Sequence, residues 1–306
     1  TAIRTHHTIR RIITMPNDIP DLESLRNQID AIDAELHEKI VQRIALIDQV
    51  AHAKQLGSGG AVAMRPNREA TLVRNLAKRD AGQLQTATVV RIWRELINSA
   101  TALQGPLSVA VCAPERSVGY WDMARNHFGS SVPMTLHTSP SLVLRMVDDE
   151  PGVIGLLPFP QNGEDNPWWP ALASQADGQE GPRVIWRLPF FASATGRFEQ
   201  LESLAVANLA PEASGEDATL LAVETDRDVS LARVVDQLGK CGFSVHPLAV
   251  QEQEARHQRL QLFEIDGMIS HEDPGLAKFQ EVMAEGLFRL SILGAYPKAL
   301  IEGRAE

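Results

Sequence analysis

Leu22, Leu25, Ile29, Ile32, Leu36, Ile40, Ile44, Ile47 and Val50 recur at steps of three and four residues, with acidic and amide side chains between them. That period belongs to an α-helix and excludes a strand. Pro20 precedes the run, Asp21 is placed to cap its first turn, and Gly57, Gly59 and Gly60 end it. About 36 residues at ~1.5 Å each make a rod of roughly 54 Å. Ordinary globular helices run to about 11–12 residues. A rod of that length cannot bury its stripe against short helices of its own chain. The pattern therefore predicts a dimer with long helices side by side.

Two shorter helices follow. The loop GSGGAVAM leads to Arg65-Pro66, and Pro66 suits the first turn of a helix from Asn67 to about Lys78. A third helix is expected from about Leu84 to Gln104, with Val89, Ile92, Trp93, Leu96, Ile97 and Leu103 as its apolar side and Trp93 in the core. Gly105-Pro106 stops it. His37 and His52, on the first helix, read as surface or packing residues.

After Pro106 the texture becomes that of an α/β chain. Leu107–Cys112, Val153–Phe159 and Arg183–Phe191 read as strands, the region around Trp121 to Phe128 as a helix, and Asn162 to Gly181 as loop. From Ala218 the order is strand, helix (Leu231 to Cys241), strand (Phe243 to Val250), strand (Leu260 to Asp266), helix (Pro274 to Gly286), strand (Phe288 to Leu293). This βαββαβ order is ferredoxin-like. The expected organisation is a multidomain chain: an extension over 1–20, an all-α three-helix domain over 21–105, an α/β lobe over 106–212 and a ferredoxin-like module over 213–306.

Charge narrows the partners. Residues 21–105 hold eleven Lys and Arg against ten Asp and Glu, so the net charge of −10 is concentrated after residue 105. An acidic second half argues against nucleic acid, and the arginine-rich first half suits a small anion. Cys112 and Cys241 offer neither a disulfide framework nor a zinc spacing, which makes the cytoplasm the default compartment. No apolar run approaches the roughly 18 residues of a membrane span. The basic N-terminus reads as an extension rather than a targeting signal, with Met15 as an alternative start.

The candidate chemistry lies on the first helix. Arg43 and Lys54 are eleven residues apart, which leaves about 20° of rotation and sets them on one face roughly 16 Å apart. Arg26 lies seventeen residues before Arg43, roughly 25 Å along the axis. One small ligand reaches both only if Arg26 comes from a second subunit.

Leu25-Arg26, Ile29-Asp30, Ile32-Asp33, Arg43, Ala53-Lys54, Arg68-Glu69 and Gln104 together resemble the all-helical chorismate mutase family. The resemblance implies that Arg43 and the partner's Arg26 bind the two carboxylates of chorismate. It implies that Lys54 and Gln104 donate to the ether oxygen as catalytic residues, that Glu69 holds the ring hydroxyl and that Arg68 assists carboxylate binding. Two positions depart from the pattern: Arg65 stands where an acidic residue is frequent, and Ala100 where a serine is common. The implied reaction, chorismate to prephenate, is pericyclic and needs no nucleophile, metal or cofactor. Fixed cationic and amide donors stabilise the charge growing on the ether oxygen, and arginine clamps select the compact conformer.

Residues 107–297 resemble a reduced prephenate dehydratase. The resemblance rests on Ala113-Pro114-Glu115 with Ser117, on Gly155–Phe159 with Gln161-Asn162, on Leu188-Pro189-Phe190, and on Ile292–Pro297, which is similar to the end of an ACT module. Against catalysis, Arg116 replaces a turn glycine and the Thr-Arg-Phe motif is absent; Glu202-Ser203 stands at the nearest position. Too few residues separate Leu188-Pro189 from Gly215 for a second lobe. Val229-Ser230-Leu231 stands near a usual Gly-Ala-Leu, and no Glu-Ser-Arg-Pro occurs.

The expectation is therefore a cytoplasmic, homodimeric chorismate mutase with an appended dehydratase-like and ACT-like module that is either regulatory, with an aromatic amino acid as effector, or an inert remnant. Rival readings are a bifunctional mutase–dehydratase, a non-catalytic regulatory or interaction protein, and an isochorismate-pyruvate lyase side activity.

Overall fold

A computed structural model describes residues 21–55, 63–114, 118–175, 181–192 and 201–301. The extension with Met15, the Gly57–Gly60 loop, the Glu115–Ser117 turn and the side chains of His52 and Lys54 lie outside the described residues. The chain divides into two compact units, Thr1–Ala53 and Lys54–Glu306.

The described part of the first unit is helix α1, which runs over Leu22–Gln55, its last two residues being counted with the second. The uninterrupted helical period and the absence of Gly or Pro within it account for 34 residues without a break. Its apolar stripe is solvent-exposed in the single chain: Ile29, Ile32 and Leu36 each retain more than half of their surface. His37 is exposed, as expected.

The second unit is built on a nine-stranded mixed sheet. It begins with α2 (Pro66–Ala77) and α3 (Thr86–Gln104). Then come β1 (Ser108–Cys112), α4 (Val118–Phe128), β2 (Met134–His137), α5 (Pro140–Asp149), β3 (Val153–Pro158), α6 (Trp169–Gln175), β4 (Arg183–Leu188), the short β5 (Phe191–Ala192) and β6 (Ser203–Ala207). The chain continues through β7 (Asp217–Asp226), α7 (Leu231–Lys240), β8 (Val245–Gln253), β9 (Gln258–Asp266), α8 (Pro274–Val282), β10 (Leu287–Pro297) and β11 (Leu300–Ile301). Strand order is β2-β1-β3-β6-β4-β10-β7-β9-β8. β1 pairs in parallel with β2 and β3, and β6 lies antiparallel between β3 and β4. In the run β10-β7-β9-β8 each strand is antiparallel to its neighbours, with two helices in βαββαβ order along the chain, which is ferredoxin-like. Short β5 and β11 pair separately.

Among the described residues one backbone pairing joins the two halves of the sheet. Gly294 of β10 pairs in parallel with Val184 of β4. Its φ is +147°, and a Cβ there would stand 2.2 Å from the Val184 carbonyl oxygen, so only glycine permits this approach. Arg187 reinforces the seam from β4. It bridges to Glu202 at 2.8 Å and to Glu264 of β9 at 2.6 Å, and it lies 4.4 Å from the Phe159 ring centroid.

The sheet faces follow the two-residue alternation of strands. Ala110 and Cys112 point with Val184, Leu204 and Val206 to the face covered by α5 and α6. Val109, Val111, Ile154, Leu156 and Ile185 point the other way, under α4 together with Met64, Ala70 and Val73 around α2 and Val90 of α3. Helices α7 and α8 cover this second face in the ferredoxin-like half, on Leu221, Val223, Phe263 and Ile265. The core thus runs without interruption across residue 105.

Five elements were not read from the sequence: β2, α5, α6, β6 and β11. Helix α6 falls inside the stretch taken as loop, where Trp169 and Leu172 are fully buried. The face of α3 also differs from expectation. Val90, Arg94, Ile97, Asn98 and Thr101 point inward, whereas Ile92 and Leu103 are exposed and Trp93 is only half-buried. Each inward polar side chain makes at least one hydrogen bond: Arg94 to Glu69, Asn98 to the Arg94 and His127 carbonyls, and Thr101 to the Ile97 carbonyl.

Candidate active site

Two of the proposed site residues share one turn of α2. Pro66 starts this helix, and its apolar positions Ala70, Val73 and Leu76 fix its rotation on the sheet. That rotation leaves Arg68 exposed and buries Glu69, which is 6% exposed. Glu69 Oε2 accepts a hydrogen bond from Arg94 Nη1 at 2.9 Å, and Arg94 is itself only 3% exposed. Burial pushes the Glu69 carboxyl above its usual range against the opposing pull of Arg94, and burial likewise lowers the guanidinium.

Arg94 is packed between aromatic faces. Its Cζ lies 5.1 Å from the Trp186 ring centroid and 5.6 Å from that of Phe190. Those rings meet edge to face at 5.0 Å, and His127 of α4 meets Trp186 at 4.7 Å. One turn along α3, Asn98 Nδ2 donates to the carbonyls of His127 and Arg94. Burial first, and the nearby Arg94 charge second, hold the His127 imidazole well below its ordinary range. Arg94 Nη2, Asn98 Oδ1, His127 Nε2 and Trp186 Nε1 are buried in this cluster without a hydrogen-bond partner among the described residues.

Arg74 anchors the other end of α2. It donates to the carbonyl oxygens of Ser214, Glu216 and Lys298 and to Ser214 Oγ, and lies 5.7 Å from the Phe190 centroid. Gln104 closes α3, half-buried, with Nε2 donating to the Ala100 carbonyl at 3.0 Å. It sits ten residues beyond Arg94, roughly 15 Å along the helix. Arg65, at the position usually acidic, pairs with Glu212 at 3.0 Å.

On α1, Arg26 is exposed and Arg43 half-buried; Lys54 falls in the last turn. Sequence reasoning missed Arg94, Asn98, His127, Trp186 and Arg74. The available signal was the spacing of Arg94, Asn98 and Thr101, a polar stripe one face wide beside Val90 and Ile97.

Glu69 beside a helix-borne cation, on helices that follow a long arginine-bearing rod, is the arrangement to compare with known proteins. Residues 25–105 match the chorismate mutase type II model. A Pseudomonas aeruginosa protein named bifunctional chorismate mutase/prephenate dehydratase is 34% identical over 150 residues, 48% of this chain and 41% of its own length. One of the same name from Stutzerimonas stutzeri is 32% identical over 119 residues, 38% of this chain and 32% of its own. This chain thus spans less than half the length of these curated relatives. The crystal structure of prephenate dehydratase from Streptococcus mutans aligns with 63% of this chain and all of its own, at 12% identity and a TM-score of 0.45.

Proposed function

We propose that this chain is a homodimeric chorismate mutase that rearranges chorismate to prephenate without metal or cofactor. The observation that carries the reading is the match of residues 25–105 to chorismate mutase type II, with Arg26, Arg43, Lys54, Arg68, Glu69 and Gln104 all inside it. Arg43 and the second subunit's Arg26 clamp the substrate carboxylates, with Arg68 assisting. Lys54 and Gln104 donate to the ether oxygen as negative charge develops there. Glu69 accepts from the ring hydroxyl. The largely exposed stripe of α1 supports a second copy as its cover, since such a helix is stable only with its apolar face partnered.

In this reading, residues 21–105 are the mutase segment, 106–212 a reduced dehydratase-like lobe and 213–306 an ACT-like module that takes an aromatic amino acid as effector. The βαββαβ topology supports the last assignment. Two unpaired cysteines accord with a cytoplasmic setting. A second reading, a bifunctional mutase–dehydratase, is favoured by the names of the two relatives and by an alignment of 150 residues, longer than the mutase segment. The missing Thr-Arg-Phe motif counts against it. Chorismate supplied to the pure protein, with prephenate and phenylpyruvate followed separately, decides. Prephenate alone is expected; phenylpyruvate would establish the second reading, and neither product would refute both.

A further inference from the structure

We infer that Arg94 is a positioning residue for Glu69, held by Trp186 and Phe190, so that the α/β segment takes part in mutase activity. The inference rests on the mutase reading above and adds to it three residues, two of them from beyond residue 105.

Glu69 needs two properties to accept a hydrogen bond from a substrate hydroxyl: it must be ionised, and it must be aimed. Its own helix supplies neither. Taken from water, a carboxylate reverts to the neutral acid unless a cation stands beside it. Arg94 is that cation, at 2.9 Å on Oε2. The guanidinium is planar, so fixing its plane fixes the direction of the N–H it offers. Trp186 and Phe190, at 5.1 and 5.6 Å, constrain that plane while favouring the charged form.

The supports on either side originate in the same segment. Asn98 ties α3 to α4 through the His127 carbonyl, and the His127 ring abuts Trp186. Arg74 ties α2 to the carbonyls of Ser214, Glu216 and Lys298 and lies over Phe190. Both helices are thereby referenced to one aromatic pair at the end of β4. A buried ion pair kept for stability alone is a weaker account, because well-packed apolar residues in its place are frequently as stable.

The test uses the full chain and measures chorismate turnover between pH 5 and 9, together with thermal melting, for Arg94→Met, Arg94→Lys, Glu69→Gln, Trp186→Leu and Trp186→Phe. Arg94→Met should lower kcat at neutral pH by about tenfold or more, with KM altered far less. Its acid limb should move to higher pH, because the buried carboxyl without its cation holds its proton longer. Arg94→Lys should restore part of that limb. Trp186→Leu should shift it in the same direction by a smaller amount, and Trp186→Phe should stay near wild type. Glu69→Gln should abolish the limb. The inference is overturned if Arg94→Lys and Trp186→Leu fold and melt at lower temperature while kcat and the acid limb match wild type. Those two variants decide the matter even where Arg94→Met fails to fold. Wild-type protein that does not turn over chorismate overturns the mutase reading and this inference with it. Wild-type turnover with an unmoved limb overturns this inference alone.

Discussion

Helix α1 and the pair α2–α3 lie in the same mutase-matched segment, carry similar amphipathic periods and meet opposite fates. Along α1, Leu22, Ile29, Ile32, Leu36 and Leu46 are all more than half exposed in the single chain. On α2, Ala70 and Val73 are fully buried and Leu76 nearly so. The difference is one of supply. Helices α2 and α3 have a sheet face of their own unit to cover, whereas the described part of the first unit is the 34-residue rod by itself. An apolar stripe announces that something will cover it, and the chain decides whether the cover is itself or another molecule. The proposed site residues are divided likewise: Arg26, Arg43 and Lys54 ride on the rod, and Glu69 on the embedded helix.

The largest effect tests whether the rod carries the reaction. Lys54→Ala should lower kcat for chorismate by about 10²–10³, or roughly 2.7–4 kcal/mol, as for loss of a donor to developing negative charge. A variant retaining more than about a third of wild-type activity would remove Lys54 from the site.

Next comes the division of the rod between subunits. Arg26→Ala and Arg43→Ala should each be nearly inactive. Unfolded and refolded together, they should recover up to about a quarter of wild-type activity, because one site in each mixed dimer is then intact. Heterodimers confirmed by mass but still inactive would break the comparison at its root, placing the two arginines in different sites.

A stability pair sharpens the contrast within the embedded helices. Leu76→Ala should cost about 2–3 kcal/mol in denaturant unfolding, as for other buried leucines. Ile92→Ala, at a position 47% exposed in the single chain, should stay within about 0.5 kcal/mol in a monomeric background. A large loss at Ile92 would mean that the outward face of α3 is covered too.

The smallest effect is the pH response of the embedded side. His127 has a folded pKa held well below its ordinary value by burial and by Arg94. The unfolded imidazole takes a proton near about pH 6.5. Below that pH the unfolded state binds more protons than the folded one, so stability falls as pH drops, by up to about 1.4 kcal/mol per pH unit. The difference in melting temperature between wild type and His127→Gln should therefore change between pH 7.5 and 5.5, with wild type losing more. Parallel curves would show that His127 is not neutral in the folded protein.

Part of this molecule could be read directly. The three helices of the first segment announce themselves through a 3.6-residue period, and Ser108–Cys112, Val153–Pro158 and the strand from Asp217 through continuous apolar runs bounded by turn residues. Strand β2 did not: it is four residues long at the sheet edge, with Thr135 and Leu136 both exposed. Strand β6 (SLAVA) is buried on both faces like β1 and β3, and its five residues carry no period that separates a strand from any other short apolar run.

The sequence by itself determined the length of α1, the placing of Arg26, Arg43 and Lys54 on that rod, and Arg68 and Glu69 at the start of α2, since helical geometry follows from spacing alone. Only the tertiary structure decided what Glu69 touches. Nothing within one helical turn of Arg94 shows that Trp186, almost a hundred residues later, lies across its guanidinium. Periodicity reports which side chains avoid water, but a buried charge is admitted only by partners, and those come from distant parts of the chain.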